Sequence, residues 1–254
     1  MREAAALKIR TITIDFWGTL LYDPPSSDNR YKHRRLTDFE KILAVAGLPA
    51  TAAALDRAYE ESGSYLGRIW ARHRDVPVAD HVRAILAAVN PELPKRVSAE
   101  IMSMLIDAYS RPALIVPPAV DDGALAALET LRGRGYTLAL VSNIMRTPGA
   151  TLRKLLERYG LLRYFAHTTF SDEVGVRKPD AEIFALTLRA VGGEAGAAVH
   201  VGDDEILDVQ GARAAGMRVI QVTSRSLQAL GAERPDAAIP QLAALPAAIA
   251  RLES

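Results

Sequence analysis

ITIDFWGTLLYD, residues 12–23, reads as a strand that carries a carboxylate to its own end. Ile12, Thr13 and Ile14 suit a covered, pleated strand, and Asp15 follows where that pattern breaks. Two aromatics and a small-residue turn of Gly18 and Thr19 come next. Working outward, four more β-rich runs share this character: TLALVSN (137–143), HTTFS (167–171), AVHVGD (198–203) and VIQVTS (219–224). Each is apolar on both faces, as in a parallel sheet covered by helices.

Helical patterns separate these runs. In TPGATLRKLLERYG, Thr147 is placed to cap, Pro148 suits the first turn, Leu152, Leu155, Leu156 and Tyr159 form one stripe, and Gly160 stops it. KPDAEIFALTLRAVGG repeats the scheme from Pro179 to Gly192. The alternation predicts an α/β fold with a doubly wound, Rossmann-like parallel sheet. Between Tyr22 and about Leu114 it lapses into helical patterns. LTDFEKILAVAG offers a capping box from Thr37 to Glu40, and SAEIMSMLIDAY begins at Ser98 with Ile101, Met102, Leu105 and Tyr109 on one face. Proline pairs at 24–25 and 117–118 flank this block. We expect a core domain of residues 1–22 and 113–254, and an inserted helical cap domain of 23–112.

Composition sets broad limits. A chain of 254 residues with 49% hydrophobic and 24% charged residues can bury a sizeable core. A net charge of +1 spreads no strong field, so neither nucleic acid nor an anionic membrane is expected as a partner. The absence of cysteine removes disulfides, thiolate metal sites and a cysteine nucleophile. MREAAALKIR lacks a secretory apolar run, and the expectation is a cytoplasmic monomer or homodimer.

Ligands of open α/β sheets bind at the carboxyl ends of the strands. Those ends present Asp15, then Ser142 with Asn143, then the loop to Lys178, then Asp203 and Asp208. Each group alone also suits a turn or a helix cap. Their order and strand placement together describe a site for an anion and a divalent cation.

This combination, DFWGTL, VSN, RKPD and GDDEILD, resembles the haloacid dehalogenase superfamily of hydrolases, and the helical insert resembles the C1 cap of its subfamily I. The resemblance implies that Asp15 is the nucleophile. It implies that Thr19, Ser142 and Lys178 hold the transferring group, that Trp17, Gly18 and Asn143 lie at the substrate, and that Asp203 and Asp208 bind Mg2+ with Asp15 and the backbone carbonyl of Trp17. The residue types agree: a carboxylate can attack phosphorus, and Lys178 and Ser142 can stabilise charge on the phosphoryl group. Three carboxylates around one point raise one another's pKa unless a hard cation sits among them.

Trp17 stands where phosphatases of the superfamily usually carry a second aspartate, the general acid and base. Indole cannot exchange a proton near neutral pH, and such help is worth about 10²–10⁴-fold. Three readings follow. The first is a Mg2+-dependent phosphatase of a small organic phosphate, with an easy leaving group or an acid from elsewhere, Asp23, Asp204 and the cap histidines being candidates. The second is a 2-haloacid dehalogenase, whose family members carry an aromatic here; against it stand Asp203 in place of serine, Phe184 in place of tyrosine, and no recognisable cap arginine among Arg30, Arg34 and Arg35. The third is a binding or regulatory protein with Trp17 packing the cap on the core.

RYKHRR, residues 30–35, reads as a solvated helix face. His200, inside a strand, reads as a core residue, and Trp70 and Tyr65 as apolar packing. None of the five histidines is spaced as a metal ligand pair.

Overall fold

The computed structural model describes residues 8–23, 27–223 and 234–254. The N-terminal segment 1–7, the proline pair 24–25 and Ser224 lie outside the described residues.

The strands are β1 (Thr11–Ile14), β2 (Leu21–Tyr22), β3 (Ala119–Val120), β4 (Thr137–Ser142), β5 (His167–Phe170), β6 (Ala198–Gly202), β7 (Arg218–Val222) and β8 (Ala237–Ile239). Six form one parallel sheet in the order β5-β4-β1-β6-β7-β8. Every residue of β1 is buried, as expected for a central strand covered on both faces. The chain winds outward from β1 to either side, so the switch in strand order lies beside β1, where such sheets open a crevice. Ile14 is level with Leu140 of β4 and Val201 of β6. The three central strands therefore end together and deliver Asp15, Ser142 and Asp203 to one rim.

Each expected strand exists, and most end a residue or two earlier than their apolar runs suggest. β8 lies in the alanine-rich third, where no strand is legible. β2 and β3 pair antiparallel, Tyr22 against Ala119, and flank the helical block where the chain leaves and rejoins the sheet.

Within that block α1 (Ser27–Val45), α2 (Ala52–Trp70), α3 (Val78–Val89) and the helix Ala99–Ser110 pack on one another. α1 overturns the expected capping box: it starts at Ser27, so Thr37 and Glu40 sit mid-helix. Its buried stripe is Ser27, Tyr31, Arg35, Phe39 and Leu43, one residue every four. Three of its five members are polar, and this hid the first two turns. Ser98 caps its helix as expected, accepting from the Ile101 N–H at 3.2 Å. Thr147 does not cap: the helix Gly149–Arg158 starts two residues later, and the Thr147 hydroxyl lies 3.4 Å from an Arg35 nitrogen. No helix among the described residues is long and apolar enough to cross a membrane.

Candidate active site at the carboxyl end of the sheet

Asp15 is the first residue beyond β1, and its N–H donates to Val201 O at 2.9 Å. The turn then folds back, with the Leu20 and Leu21 N–H groups both donating to Phe16 O. Gly18 takes φ +74°, and a Cβ there would lie 2.3 Å from an oxygen of Asp203. Both the backbone region and the close approach demand glycine. Thr19 donates its hydroxyl to Asp203 Oδ1 at 3.3 Å, which joins the first and fourth motifs.

Lys178 Nζ lies 2.7 Å from Asp15 Oδ1 and 2.6 Å from Asp208 Oδ1, with the side chain only 2% exposed. The Asn143 side chain holds its backbone on both sides: Lys178 N–H donates to Asn143 Oδ1 at 2.8 Å, and Asn143 Nδ2 donates to Lys178 O at 3.0 Å. Asn143, expected at the substrate, thus has its amide engaged in fixing the lysine. Ser142 is buried at the end of β4 and donates to Asn143 O at 3.1 Å.

Asp208 is completely buried. Its Oδ1 also contacts His200 Nε2 at 3.0 Å, and its Oδ2 accepts the Asp204 N–H at 2.9 Å. His200 Nδ1 lies 2.9 Å from the Thr13 hydroxyl. His200 is buried as expected, but it supports the site from beneath. The sequence offered no signal for this, because Thr13 reaches it from the neighbouring strand β1 and Asp208 from the helical turn that follows β6. Gly202 makes room, since a Cβ there would meet Asp208 Cγ at 2.2 Å.

Oxygens of Asp15, Asp203 and Asp208 all lie within 4.8 Å of one another. Burial pushes the Asp15 carboxyl up, Lys178 opposes this, and Asp208 and Asp203 add to it. Burial and the Asp208 charge push Asp203 up to about 6. Burial pushes Asp208 up as well, but Lys178 and His200 outweigh it and hold Asp208 well below the carboxylate range. The short Asp15–Lys178 pair and the upward shift of Asp15 pull in opposite directions. They are reconciled because one ammonium is shared between two carboxylates, and Asp208 has His200 and the Asp204 N–H as further partners. Burial lowers His200 despite Asp208, so it adds no compensating charge at neutral pH. Three carboxylates against one lysine are undercompensated, and an all-oxygen cluster of this kind suits a hard divalent cation.

A cavity of about 510 Å³ adjoins this cluster through Trp17 and Gly18, between the loops at the sheet rim and the helical block. Trp17 and Gly18 form its floor, and Asp23, Tyr31, Tyr59 and Trp70 stand around it. Trp17 meets Phe16 edge to face at 4.8 Å. Two arginines also border the cavity with their donors already engaged. Arg35 was expected on a solvated face but is 3% exposed; it donates to Tyr109 O at 2.8 Å, Tyr59 Oη at 3.0 Å and Arg146 O at 3.2 Å. Arg146 stacks 3.9 Å over Tyr59 and donates to its carbonyl at 3.1 Å. The clue to Arg35 was its place in the four-residue stripe of α1. Of the candidate acids, Asp204 accepts the Ile206 and Leu207 N–H groups at 2.8 Å, starting its own helix. His81 is buried beside Tyr109, and burial followed by Arg146 and Arg35 pushes it down to about 3. Asp23 alone of these faces the cavity.

Residues 9–216 match the family model of haloacid dehalogenase-like hydrolases. The bovine haloacid dehalogenase-like hydrolase domain-containing protein 3 is 35% identical over 227 residues, 84% of this chain and 82% of that one. The mouse counterpart matches over 98 residues at 40% identity, so the chain spans 38% of that relative's length. A glyceraldehyde 3-phosphate phosphatase of Methanothermobacter thermautotrophicus is 36% identical, covering 74% of this chain and 76% of its own. Among solved structures, a 2-haloacid dehalogenase from Pseudomonas syringae superposes with a TM-score of 0.71 at 26% identity over 96% of this chain and 99% of its own. A phosphatase of Thermococcus onnurineus gives 0.60 at 25% identity over 95% and 98%.

Proposed function

The chain belongs to the haloacid dehalogenase-like hydrolases, and we propose that within them it is a Mg2+-dependent phosphatase of a small organic phosphate. The observation that carries this reading is the charge count at the rim: three clustered carboxylates and one shared lysine. A dehalogenase attacking carbon has no use for the third carboxylate. Asp15, Asp203 and Asp208, with the Trp17 carbonyl, would hold Mg2+. When bound, the cation offsets the negative charge shared by the carboxylates and a phosphoryl group. In this reading residues 23–112 are the cap, and the walls of the cavity set the substrate.

Asp15 attacks phosphorus, the bond from phosphorus to the organic oxygen breaks, and that oxygen leaves with the electron pair. Water then attacks the phosphoryl-aspartate, releases inorganic phosphate and restores the carboxylate. Lys178 keeps Asp15 oriented and neutralises charge on the phosphoryl oxygens, while Thr19 and Ser142 supply hydroxyl donors once these rotate away from Asp203 and Asn143 O. The proton that Trp17 does not supply is assigned to Asp23. Its carboxyl lies 3.2 Å from the Tyr31 hydroxyl, and partial burial pushes its pKa up, though part of the side chain reaches solvent.

A second reading, 2-haloacid dehalogenation, is favoured by the superposition at 0.71 and by the aromatic at position 17. Phe184 speaks against it, being fully buried on the His200 ring at 5.0 Å. Release of phosphate from para-nitrophenyl phosphate and of halide from L-2-chloropropionate, each with Mg2+ or EDTA and with Asp15→Asn as blank, separates the readings. We expect phosphate release that needs both Mg2+ and Asp15. Halide release indifferent to EDTA would reverse the order, and silence in both would leave a binding protein.

A further inference from the structure

A closed ring of hydrogen bonds ties the cap to the two loops that carry Asn143 and Lys178. Its centre is Asp75, buried in the turn between α2 and α3 with both carboxylate oxygens in use. Oδ1 accepts the Trp70 indole N–H at 3.0 Å and the Val76 N–H at 2.9 Å. Oδ2 accepts the Ser171 hydroxyl at 2.5 Å and Arg177 Nη1 at 3.1 Å. Ser171 in turn accepts the Ile144 N–H at 2.8 Å, and Arg177 donates to Ile144 O at 3.3 Å. Ile144 and Arg177 are the chain neighbours of Asn143 and Lys178, so one cap carboxylate grips both loops.

The backbones dock as well. Asp75 N–H donates to Gly175 O at 3.1 Å, and Arg177 N–H donates to His73 O at 3.2 Å. To present that carbonyl His73 takes φ +54°, the only positive value at a non-glycine among the described residues. A left-handed histidine persists where its surroundings hold it, and such residues gather at functional junctions. Trp70 completes the device: one part of it lines the cavity, its ring lies 4.4 Å beneath the Arg177 guanidinium, and its N–H is bonded to Asp75.

We propose that Asp75 and Trp70 are positioning residues, forming a clamp through which the docked cap, with the substrate's organic part against Trp70, holds Lys178 in register for phosphoryl transfer. The proposal rests on the phosphatase reading for its chemistry and on the hydrogen-bond ring for its geometry. Removing the Asp75 charge leaves Arg177 buried without its counter-ion, and the guanidinium must move, carrying its neighbour Lys178 with it. A displacement near 1 Å at such a group costs roughly 100-fold in rate.

The test compares Asp75→Asn and Trp70→Phe with the wild type in kcat and KM on para-nitrophenyl phosphate, in inorganic phosphate affinity by calorimetry with Mg2+, and in Tm. We expect Asp75→Asn to lose about 10- to 100-fold in kcat with a matching loss of phosphate affinity, and Trp70→Phe to lose a few-fold in kcat with Tm unchanged. Lower Tm or higher KM with wild-type kcat and phosphate affinity would make the ring mere glue and overturn the proposal. Should Asp75→Asn not fold, Trp70→Phe decides, because it keeps an aromatic side chain at the position facing Arg177 and loses the N–H donor to Asp75 together with the fused five-membered ring: wild-type kcat there overturns the clamp. A wild type that releases no phosphate would sink the phosphatase reading separately, and phosphate affinity would still decide the clamp.

Discussion

Trp17 shows how much a single residue leaves for its neighbours to supply. Its ring forms part of the cavity floor where an acid would protonate a departing oxygen, so leaving groups that need no proton should react best. If Asp23 supplies that proton, Asp23→Asn should cost little on para-nitrophenyl phosphate and at least about 10²-fold on an alkyl phosphate. Equal losses on both would remove Asp23 from the chemistry. Trp17→Asp should raise turnover of the alkyl ester, and a folded variant that gains nothing would mean protonation is not limiting. Gly18→Ala places a methyl 2.3 Å from the Asp203 carboxylate, so in the proposed phosphatase Mg2+ affinity should weaken and turnover fall about 100-fold, checked by Mg2+ titration of the rate. At this scale the meeting of Asp15, Thr19, Lys178, Asp203 and Asp208 at one rim was legible, from their order at the strand ends and from the resemblance of the four motifs. His200, Asp75 and Arg177 were not. Their partners lie on other elements, and one sequence does not record which side chains meet.

Among the elements, the central strands were legible because burial on both faces leaves an unbroken apolar run. β2 and β3 are two residues each, too short to show a period, and α1 hid its start by burying Tyr31 and Arg35 in place of aliphatic side chains. α3 carries a further consequence of that polar interior. His81, fully buried and facing Tyr109, Arg146, Arg35 and Arg177, is pushed from 6.5 down to about 3, chiefly by burial. Between those values the unfolded chain binds more protons at this residue than the folded one, so its contribution to stability rises with pH and is lost on acidification. His81→Leu should therefore flatten the acid limb of the stability curve between about pH 3 and 6.5, by up to about 1.4 kcal/mol per pH unit relative to wild type. Parallel curves for the two proteins in urea titrations would show that His81 does not titrate this way.

The molecule as a whole places a deficit of positive charge at the sheet rim facing the helical block. Asp203 is raised from 3.8 to about 6, chiefly by burial, so across that window the folded state binds more protons, and stability falls as pH rises. In the proposed phosphatase Mg2+ would compete with those protons for the same oxygens. Its stabilisation should be small at pH 5, and at pH 8 it should approach about 2.7 kcal/mol at one hundred times Kd. A Tm increment that ignores pH, or that survives Asp203→Asn, would place the ion elsewhere. The fold at this scale followed from the alternation of strands and helices. The proposed clamp did not, because it depends on how the helical block is seated on the sheet.

The most direct test of the central claim is to quench the enzyme during turnover of para-nitrophenyl phosphate with Mg2+ and to determine by mass spectrometry what is attached to the peptide containing Asp15. The account predicts one phosphoryl group on Asp15, labile to hydroxylamine, absent with EDTA and absent in Asp15→Asn. Steady phosphate release with that peptide unmodified, or a phosphoryl group on another residue, would contradict it.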